Sequence, residues 1–275
     1  MTSVQDLLRE NNFRFNKQFG QNFITDTNLL QAMVADAGIT ENDIVIEIGA
    51  GAGTLTRQLG LVAKKVIAFE IDNNLQPILA QTLADMTDKV EVLFKDFQKV
   101  TDEELFSMVG NDYKVVANLP YYITTPLIMR FLEIENKPRS ITVMIQKEVG
   151  ERIVSTANSE EYGVITLAIA LEGDAKIMRV VPRTMFVPQP KVDSCIIRID
   201  VKDKFPNVDK KAVKKLVKAC FSMRRKTLAN NLAQNFGIPR PKTEEALAKM
   251  QLDARIRGEV LDINQYIELN KLLKE

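Results

Sequence analysis

Short apolar runs alternate with amphipathic stretches through the first two thirds of the chain. The apolar runs predict β-strands near residues 44–48, 66–70, 90–94, 113–117, 140–146, 175–181 and 192–201. The stretches between them predict helices over residues 28–37, 54–61, 74–83, 102–109, 126–134, 147–155 and 162–171. Strands that alternate with helices in this way are typical of an α/β fold with a doubly wound, Rossmann-like parallel sheet.

The pattern changes after Asp200, where only helical periodicity remains. Helices are predicted over residues 209–220, 223–236, 243–249 and 263–273, separated by turns that carry Pro or Gly. A linker over residues 202–207, which contains Pro206, separates the two patterns. We therefore predict two domains: an α/β domain over residues 1–203 and a small all-helical domain over residues 204–275.

Composition narrows the classes of protein that fit. Hydrophobic residues make up 45% and charged residues 27% of the chain, as in soluble globular proteins. The apolar runs are too short to span a bilayer, and the N-terminus shows no secretory signal, so a cytoplasmic protein without membrane contact is expected. Cys195 and Cys220 lack a CxxC spacing and are predicted to be isolated buried thiols. The absence of histidine removes the usual general base and the commonest zinc ligand, so no metal centre is expected.

A glycine-rich turn follows the first predicted strand of the sheet. The segment Glu47-Ile48-Gly49-Ala50-Gly51-Ala52-Gly53 has the spacing G-x-G-x-G, whereas a dinucleotide site requires G-x-G-x-x-G. The residue three positions after Gly51 is Thr54, which departs from that dinucleotide pattern. The turn therefore favours S-adenosylmethionine over NAD as the cofactor.

Two acidic residues follow the next two strands. Glu70 lies 21 residues beyond Gly49 (70 − 49), at the end of a strand, where its carboxylate can accept hydrogen bonds from ribose hydroxyls. Asp96 follows the third strand and is placed to accept from the adenine amino group. Each residue alone could equally be a helix N-cap or a surface charge, but open sheets bind ligands at the edge where both are expected.

The segment Asn118-Leu119-Pro120-Tyr121 follows the predicted strand at residues 113–117. An Asn amide oxygen and the backbone carbonyls of Leu119 or Pro120 can accept hydrogen bonds from an exocyclic amine, and a Tyr ring can stack on an extruded base. Phe186 is a candidate for the opposite face of that base. The segment therefore predicts methylation of a nucleobase amino group, although an ordinary strand-ending turn and core aromatics remain the alternative explanation.

Basic residues are concentrated in one part of the chain. Residues 176–226 contain fifteen Lys or Arg and four Asp or Glu, a net charge of +11, although the whole chain carries only +1. The helix predicted at residues 209–220 carries five of these lysines at spacings that cluster on its surface, and Arg224-Arg225-Lys226 follows it. A solvated helical face is one explanation, and a surface that contacts phosphates is the other. The candidates for contact with nucleic acid are Lys211, Lys215, Arg224, Arg225 and Lys226.

With these motifs in this order, the chain resembles the ribosomal RNA adenine N6-dimethyltransferases, and within them the members that act on the small subunit. The resemblance covers nearly the whole length. It rests on Phe19-Gly20-Gln21-Asn22-Phe23-Ile24, Gln146-Lys147-Glu148-Val149, Tyr162-Gly163, Phe186-Val187-Pro188-Gln189-Pro190-Lys191-Val192-Asp193-Ser194 and Phe221-Ser222-Met223-Arg224-Arg225-Lys226-Thr227-Leu228, together with the glycine turn and Asn118-Leu119-Pro120-Tyr121.

The resemblance implies a methyltransferase domain over residues 1–203 and an RNA-recognition domain over residues 204–275. It implies dimethylation of two adjacent adenosines in the 3′-terminal hairpin of 16S ribosomal RNA, within an assembling 30S subunit, by a monomeric enzyme. It also implies S-adenosylmethionine contacts from Asn22, Ile24, Gly49, Glu70, Asp96 and Asn118. The chain departs from the family pattern at two positions, where Gln18 replaces a basic residue and Ala50 replaces a proline.

Three other functions are compatible with parts of the sequence. The related large-subunit methyltransferases that confer macrolide resistance share the donor fold, but the segment Arg224-Arg225-Lys226-Thr227 argues against them. A non-catalytic nucleic-acid-binding module is disfavoured by the intact glycine turn and by Asn118. A dinucleotide oxidoreductase is disfavoured by Thr54 and by the absence of histidine.

Overall fold

The computed structural model describes residues 4–11, 13 and 20–274. Phe19, the first residue of the first family segment, and Gln18, one of the two departures from the family pattern, lie outside these residues. The chain forms two compact units, one made of Met1–Gly150 with Ala175–Val201 and the other of Glu151–Asp174 with Lys202–Glu275.

The strands confirm the predicted α/β fold. They are β1 Phe23–Ile24, β2 Ile44–Ile48, β3 Lys65–Glu70, β4 Val90–Phe94, β5 Lys114–Asn118, β6 Ser140–Gln146, β7 Gly173–Val181, β8 Phe186–Val187 and β9 Ser194–Val201. Seven of them form one sheet in the order β4-β3-β2-β5-β6-β9-β7, and β1 pairs with β8 in a separate two-stranded sheet. Five strands of the large sheet run parallel to one another, namely β2, β3, β4, β5 and β6. Strand β9 pairs antiparallel with β6.

The helices are α1 Val4–Glu10, α2 Thr27–Asp36, α3 Thr54–Val62, α4 Gln76–Thr82, α5 Asp102–Val109, α6 Thr124–Glu133, α7 Lys147–Ile153, α8 Val164–Glu172, α9 Lys210–Cys220, α10 Leu228–Asn235, α11 Arg240–Lys249 and α12 Ile263–Leu272. Helices α2 to α12 lie close to the predicted positions, apart from the start of α10, whereas α1 was not predicted. None of the helices in the described residues is long and apolar enough to cross a membrane.

The order of the strands determines where a ligand can bind. The chain leaves β2 for β3 and β4 on one side and then returns to place β5 on the other side of β2. The carboxyl ends of β2 and β5 therefore flank a topological switch point, where open α/β sheets bind ligands. Val45 and Ile46 of β2 are fully buried, as expected for a parallel strand covered on both faces.

The helical unit has its own core. Helix α8 packs with α9 and α12 around a cluster that includes Leu167, Leu216 and Tyr266. The unit contains residues 151–174, whereas the predicted division at residue 203 assigned them to the first domain. The physical reason is that α8 is apolar on nearly all sides and buries Leu167 and Leu171 against the C-terminal helices.

The largest departure from the predicted helices lies before α10. A helix was predicted from Met223, but α10 begins at Leu228, after a turn. Thr227 caps α10 by accepting a hydrogen bond from the Asn230 amide at 3.3 Å. Asn231, which is buried, stabilises the turn by donating to the carbonyls of Cys220 at 2.9 Å and Met223 at 3.1 Å. The segment Arg224-Arg225-Lys226 therefore lies on a turn and not on a helix.

Candidate active site

A cavity of about 330 Å³ opens in the first unit and is lined by the ends of β2 and β5. Every residue predicted to bind the cofactor or to act in catalysis lines it. These residues are Asn22, Ile24, Gly49, Glu70, Asp96, Asn118, Leu119, Pro120, Tyr121 and Phe186. Residues far apart in the sequence therefore share one site because the sheet brings the carboxyl ends of its strands together.

The glycine turn forms one wall of the cavity with bare backbone. Gly49 has φ +80° and Gly51 has φ +58°, values that favour glycine. A Cβ atom at Gly51 would lie 2.9 Å from Cε1 of Phe23, so a side chain there would collide with the ring. The turn can therefore approach a ligand more closely than residues with side chains could, which fits a cofactor such as S-adenosylmethionine.

Glu70 is 5% exposed, and backbone amides hold its carboxylate. Oε1 accepts from the amides of Ile71 at 2.8 Å and Asp72 at 2.9 Å, and Oε2 accepts from the amide of Gly51 at 2.8 Å. Burial raises the pKa of this carboxyl, and the three backbone hydrogen bonds oppose that shift. Since a carboxylate has about four acceptor sites, Oε2 retains one for a ligand hydroxyl.

The segment before β2 is tied to the loop after β3. The Gln21 side chain donates to Oδ2 of Asp72 at 2.7 Å, and Oδ1 of Asp72 accepts from the Asn74 amide at 3.1 Å. Gln21 lines the cavity as well, but it was not predicted as a site residue. The contact between Gln21 and Asp72 could not be predicted from the spacing of residues in the sequence, because the two residues are 51 positions apart.

Asp96 lines the cavity and also caps a short helical turn. Its Oδ1 accepts from the Gln98 amide at 3.0 Å, so the cap and the predicted ligand contact involve the same side chain. The neighbouring Phe97 is 3% exposed and contacts Phe69 edge to face, with ring centroids 5.0 Å apart. The carboxylate of Asp96 thus stands beside an apolar wall suited to a flat ring.

Asn118 is oriented by a hydrogen bond across the cavity wall. Its Nδ2 donates to the backbone carbonyl of Asn22 at 3.0 Å. Within residues 20–274, no group donates to Oδ1, which is the atom expected to accept from a substrate amine. The side chain therefore presents the correct atom for the predicted chemistry.

The backbone carbonyls of Leu119 and Pro120 differ in their partners. The Pro120 carbonyl accepts from the Ile123 amide at 3.1 Å and from the Thr124 hydroxyl at 3.4 Å. No described residue donates to the Leu119 carbonyl. Of the two carbonyls proposed from the sequence, only that of Leu119 is left without a donor among the described residues.

Aromatic side chains border the same cavity. Tyr121 is half-buried, and its hydroxyl lies 3.0 Å from Oγ of Ser194. Burial raises the pKa of Tyr121, so its phenol stays neutral. Phe186 is 3% exposed and packs in the core with Ile24. Tyr122, which was not predicted as a site residue, also lines the cavity and is 60% exposed.

Glu47 is a second carboxyl that was not predicted to belong to the site. It lines the cavity from β2, is 1% exposed, and its Oε2 has no hydrogen-bond partner in the described part of the chain. Burial, together with the nearby charge of Glu70, raises the pKa of Glu47 to about 8. The group is therefore mainly protonated at neutral pH. The signal in the sequence was a Glu inside an otherwise apolar strand.

The predicted basic residues lie in the helical unit, and all five of them are exposed: Lys211, Lys215, Arg224, Arg225 and Lys226. The wider lysine cluster on α9 does not form a single surface. Lys214 pairs with Glu172 at 2.6 Å and Lys210 pairs with it at 3.3 Å, and Glu172 is 2% exposed. Lys210 and Lys214 therefore neutralise a buried carboxylate, which corrects their grouping with the surface lysines.

Cys195 and Cys220 are buried thiols that are not joined in a disulfide, as predicted. The described residues contain no group of three or more His, Cys, Asp or Glu side chains that could hold a metal ion.

The chain was compared with known proteins. The family model described as "Ribosomal RNA adenine dimethylase" matches residues 12–274. The chain is 41% identical to "Ribosomal RNA small subunit methyltransferase A" of Clostridioides difficile, with 98% of this chain and 95% of that protein covered. It is 46% identical to the protein of the same name from Streptococcus gordonii, with the same two coverages.

Solved structures show the same fold. A dimethyladenosine transferase from Plasmodium falciparum is 26% identical and matches with a TM-score of 0.77 over 90% of this chain and 95% of that chain. The 23S rRNA methyltransferase ErmE matches with a TM-score of 0.71 at 24% identity, over 92% of this chain and all of that chain, which shows the shared fold alone. Because the family model and these relatives cover almost the whole sequence, the chain belongs to the ribosomal RNA adenine dimethylase family, and it is a ribosomal RNA methyltransferase.

Proposed function

We propose that the protein uses S-adenosylmethionine to dimethylate N6 of two adjacent adenosines in the 3′-terminal hairpin of 16S ribosomal RNA, within an assembling 30S subunit. One observation carries the proposal: a single cavity is lined both by the residues expected to bind the cofactor and by those expected to bind the amine. The small-subunit methyltransferases that cover the chain at 41% and 46% identity support the choice of RNA.

The cofactor would be held by backbone and by two carboxylates. The turn from Gly49 to Gly51 leaves room for a ligand against bare backbone, and Oε2 of Glu70 keeps one acceptor site for a ribose hydroxyl. Asp96 is placed for an adenine amino group, and Asn22 and Ile24 would complete the contacts from the segment before β2. When bound, S-adenosylmethionine supplies a methyl group activated by the positive charge on its sulfur.

The protein's own task is to make the adenine amine nucleophilic. The lone pair of that amine is delocalised into the ring. Acceptance of its two hydrogens by Oδ1 of Asn118 and the carbonyl of Leu119 would favour a tetrahedral nitrogen with a localised lone pair. The Asn22 carbonyl holds Asn118 in the orientation that this step requires. Tyr121 would stack on the extruded base, and Phe186 would close the other face.

The second methylation makes a further demand on the site. When N6 takes the methyl group, the carbon–sulfur bond of the donor breaks and the nitrogen releases one proton to solvent. The amine then carries one hydrogen, so only one of the two acceptors is satisfied. The monomethylated amine must rotate before its remaining hydrogen meets an acceptor. Tyr122, which lines the same cavity as Asn118 and Leu119 and is 60% exposed, would border the space in which the amine rotates.

Recognition of the RNA is assigned to the helical region at residues 204–275, and methyl transfer to residues 1–203. Lys211, Lys215, Arg224, Arg225 and Lys226 expose their charges and would contact phosphates. The enzyme would act as a monomer in the cytoplasm, where assembling ribosomal subunits occur. The positive charge of these five residues would also increase the rate at which the protein associates with RNA.

Calorimetric titration with S-adenosylmethionine and with its demethylated product tests the cofactor half of the proposal. We expect saturable binding of both by the wild-type protein. The Glu70→Ala variant should bind at least tenfold more weakly, because it loses the carboxylate that both shapes the loop and accepts from the ribose. A well-folded wild-type protein that binds neither compound would overturn the proposed activity.

A further inference from the structure

The helical unit contains a groove of about 250 Å³ that shares no lining residue with the residues assigned to methyl transfer. It is lined by α9, by the end of α12 and by the segment that follows α10. Its apolar floor includes Leu216, Phe236 and Ile238, and its rim includes Lys211, Lys215 and Lys274. Ligand pockets commonly combine an apolar surface with a few placed polar groups in this way.

Phe236 is the unusual residue of the groove. It is 42% exposed, and it is the only large hydrophobic residue of the described part of this unit that is exposed. Its backbone is nevertheless fixed, since its amide donates to the Leu232 carbonyl at 2.9 Å and Gly237 follows with φ +69°. The neighbouring Ile238 packs against the core of the unit. A rigid backbone thus presents an aromatic ring to solvent.

The rim of the groove carries an excess of positive charge. Lys211 and Lys215 are exposed, stand one helical turn apart on α9, and have no ion-pair partner among the described residues. Lys274 pairs with Asp209 at 3.1 Å, so the one acidic side chain that lines the groove is already neutralised. Three lysines against one aspartate leave a net charge of two positive units beside the Phe236 ring.

We infer that this groove binds one nucleotide of single-stranded RNA, with the base stacked on Phe236 and the phosphates contacted by Lys211 and Lys215. An aromatic ring beside a basic track is the arrangement by which proteins hold single-stranded nucleic acid. A basic surface without the ring would serve duplex phosphates equally well, so the exposed Phe236 is the feature that selects an unpaired base. The inference rests on the proposed action on ribosomal RNA and adds a second contact to it.

The sequence provides a direct probe, because it contains no tryptophan. In the full-length Phe236→Trp variant, the single tryptophan reports on this groove alone. We expect a hexameric oligoadenylate to quench its fluorescence in a saturable titration. An oligonucleotide of the same length without bases should bind more weakly and quench little, since it offers phosphates but no ring.

Further variants separate the contribution of stacking on Phe236 from that of the lysine charges. Phe236→Ala should weaken binding of the hexamer about tenfold, within the range for loss of one stacked base. Lys211→Ala with Lys215→Ala, placed in the tryptophan variant, should weaken quenching and reduce its dependence on salt. Lys242→Ala is the matched control, because Lys242 is exposed in the same unit but does not line the groove.

Three outcomes would overturn the inference. The first is no quenching by oligoadenylate. The second is equal binding and quenching by the abasic strand. The third is equal quenching by an acidic peptide, which would identify a docking surface for protein. Calorimetry with S-adenosylmethionine on the same variants keeps this test separate from the proposed function, because cofactor binding should be unchanged whether or not the groove binds a nucleotide.

Discussion

Asn118 and Asn22 are 96 positions apart in the sequence, yet the side-chain amide of Asn118 donates to the backbone carbonyl of Asn22 at 3.0 Å. A carbonyl can only accept, so the amide nitrogen must face Asn22 and Oδ1 must face elsewhere. This hydrogen bond therefore fixes the atom that would accept from the substrate amine. It also ties the segment before β1 to the end of β5.

Replacement of Asn118 by Ala should abolish most of the activity. We expect the rate of methyl transfer to fall by about 10²–10³, the range found when one preorganised polar group is removed from a reaction site. The measurement is single-turnover methylation of small-subunit RNA with the cofactor at saturation. Activity within a few fold of wild type would reject the role of Asn118, and normal heat-induced unfolding of the variant would show that the fold is intact.

Glu70→Gln tests the buried carboxylate. The amide would place an NH₂ group against backbone amides that now donate to Oε1 or Oε2, so at least one buried donor would lose its acceptor. We expect a loss of about 1–3 kcal/mol in the free energy of unfolding and at least tenfold weaker cofactor binding. Urea unfolding and calorimetry measure these two effects.

Glu91→Gln is the control for that variant. Glu91 lies on the neighbouring strand β4, and its partner Lys65 lies 2.9 Å away in an exposed ion pair. Exposed pairs of this kind contribute little, so the control should change stability by less than about 1 kcal/mol. Similar effects of the two variants would contradict the special position of Glu70.

The pH dependence of stability should show the unusual state of Glu47. Its pKa is raised from 4.5 to about 8 in the folded protein, so its contribution to stability is complete below pH 4.5 and is lost as the pH rises through about 8. The Glu47→Gln variant cannot ionise. Relative to wild type, we expect it to gain stability between pH 5 and pH 8 by an amount on the order of a few kcal/mol.

Thermal unfolding at several pH values measures this difference. Glu135→Gln serves as a control because Glu135 is exposed. A difference between wild type and Glu47→Gln that stays constant from pH 5 to pH 8 would show that Glu47 is ionised in the folded protein throughout this range.

Replacement by Ala should affect different properties at two lysines of α9. Lys214→Ala removes a 2.6 Å partner of the buried Glu172 and should cost about 3 kcal/mol of stability. Lys211→Ala removes an exposed charge, so it should leave stability unchanged and weaken RNA binding with a smaller salt dependence. Urea unfolding and RNA titrations at several salt concentrations would distinguish them. Equal stability of the two variants would refute the assignment of Lys214.

The elements that bury apolar surface were the ones that the sequence could predict. Strands β2, β4 and β6 are rich in apolar residues, and the structure places them within one residue of the predicted limits. The ligand-binding edge was predictable for the same reason, because Gly49 directly follows β2, and Glu70 and Asn118 end β3 and β5. The pattern of apolar and polar side chains along an element can be read from the local sequence, so these elements can be predicted without knowledge of contacts between distant residues.

Features that depend on contacts between distant residues were not predictable. The start of α10 depends on the buried Asn231, which bonds the turn before it, and helical periodicity alone continued the helix back to Met223. The hydrogen bond from Gln21 to Asp72 joins residues 51 positions apart, and Glu172 forms ion pairs with Lys210 and Lys214 from a different helix. Asn22 and Ile24 were identified from family resemblance, since no strand of the large sheet ends beside them.

The most direct test of the account is to map where methyl groups are transferred. The protein is incubated with methyl-labelled S-adenosylmethionine and, separately, unmethylated small subunits, naked 16S RNA and large subunits, and the labelled nucleosides are then identified and located. We predict N6,N6-dimethyladenosine at two adjacent positions in the 3′-terminal hairpin of the small-subunit RNA. Label in large subunits only, or no labelled adenosine with any substrate, would contradict the account.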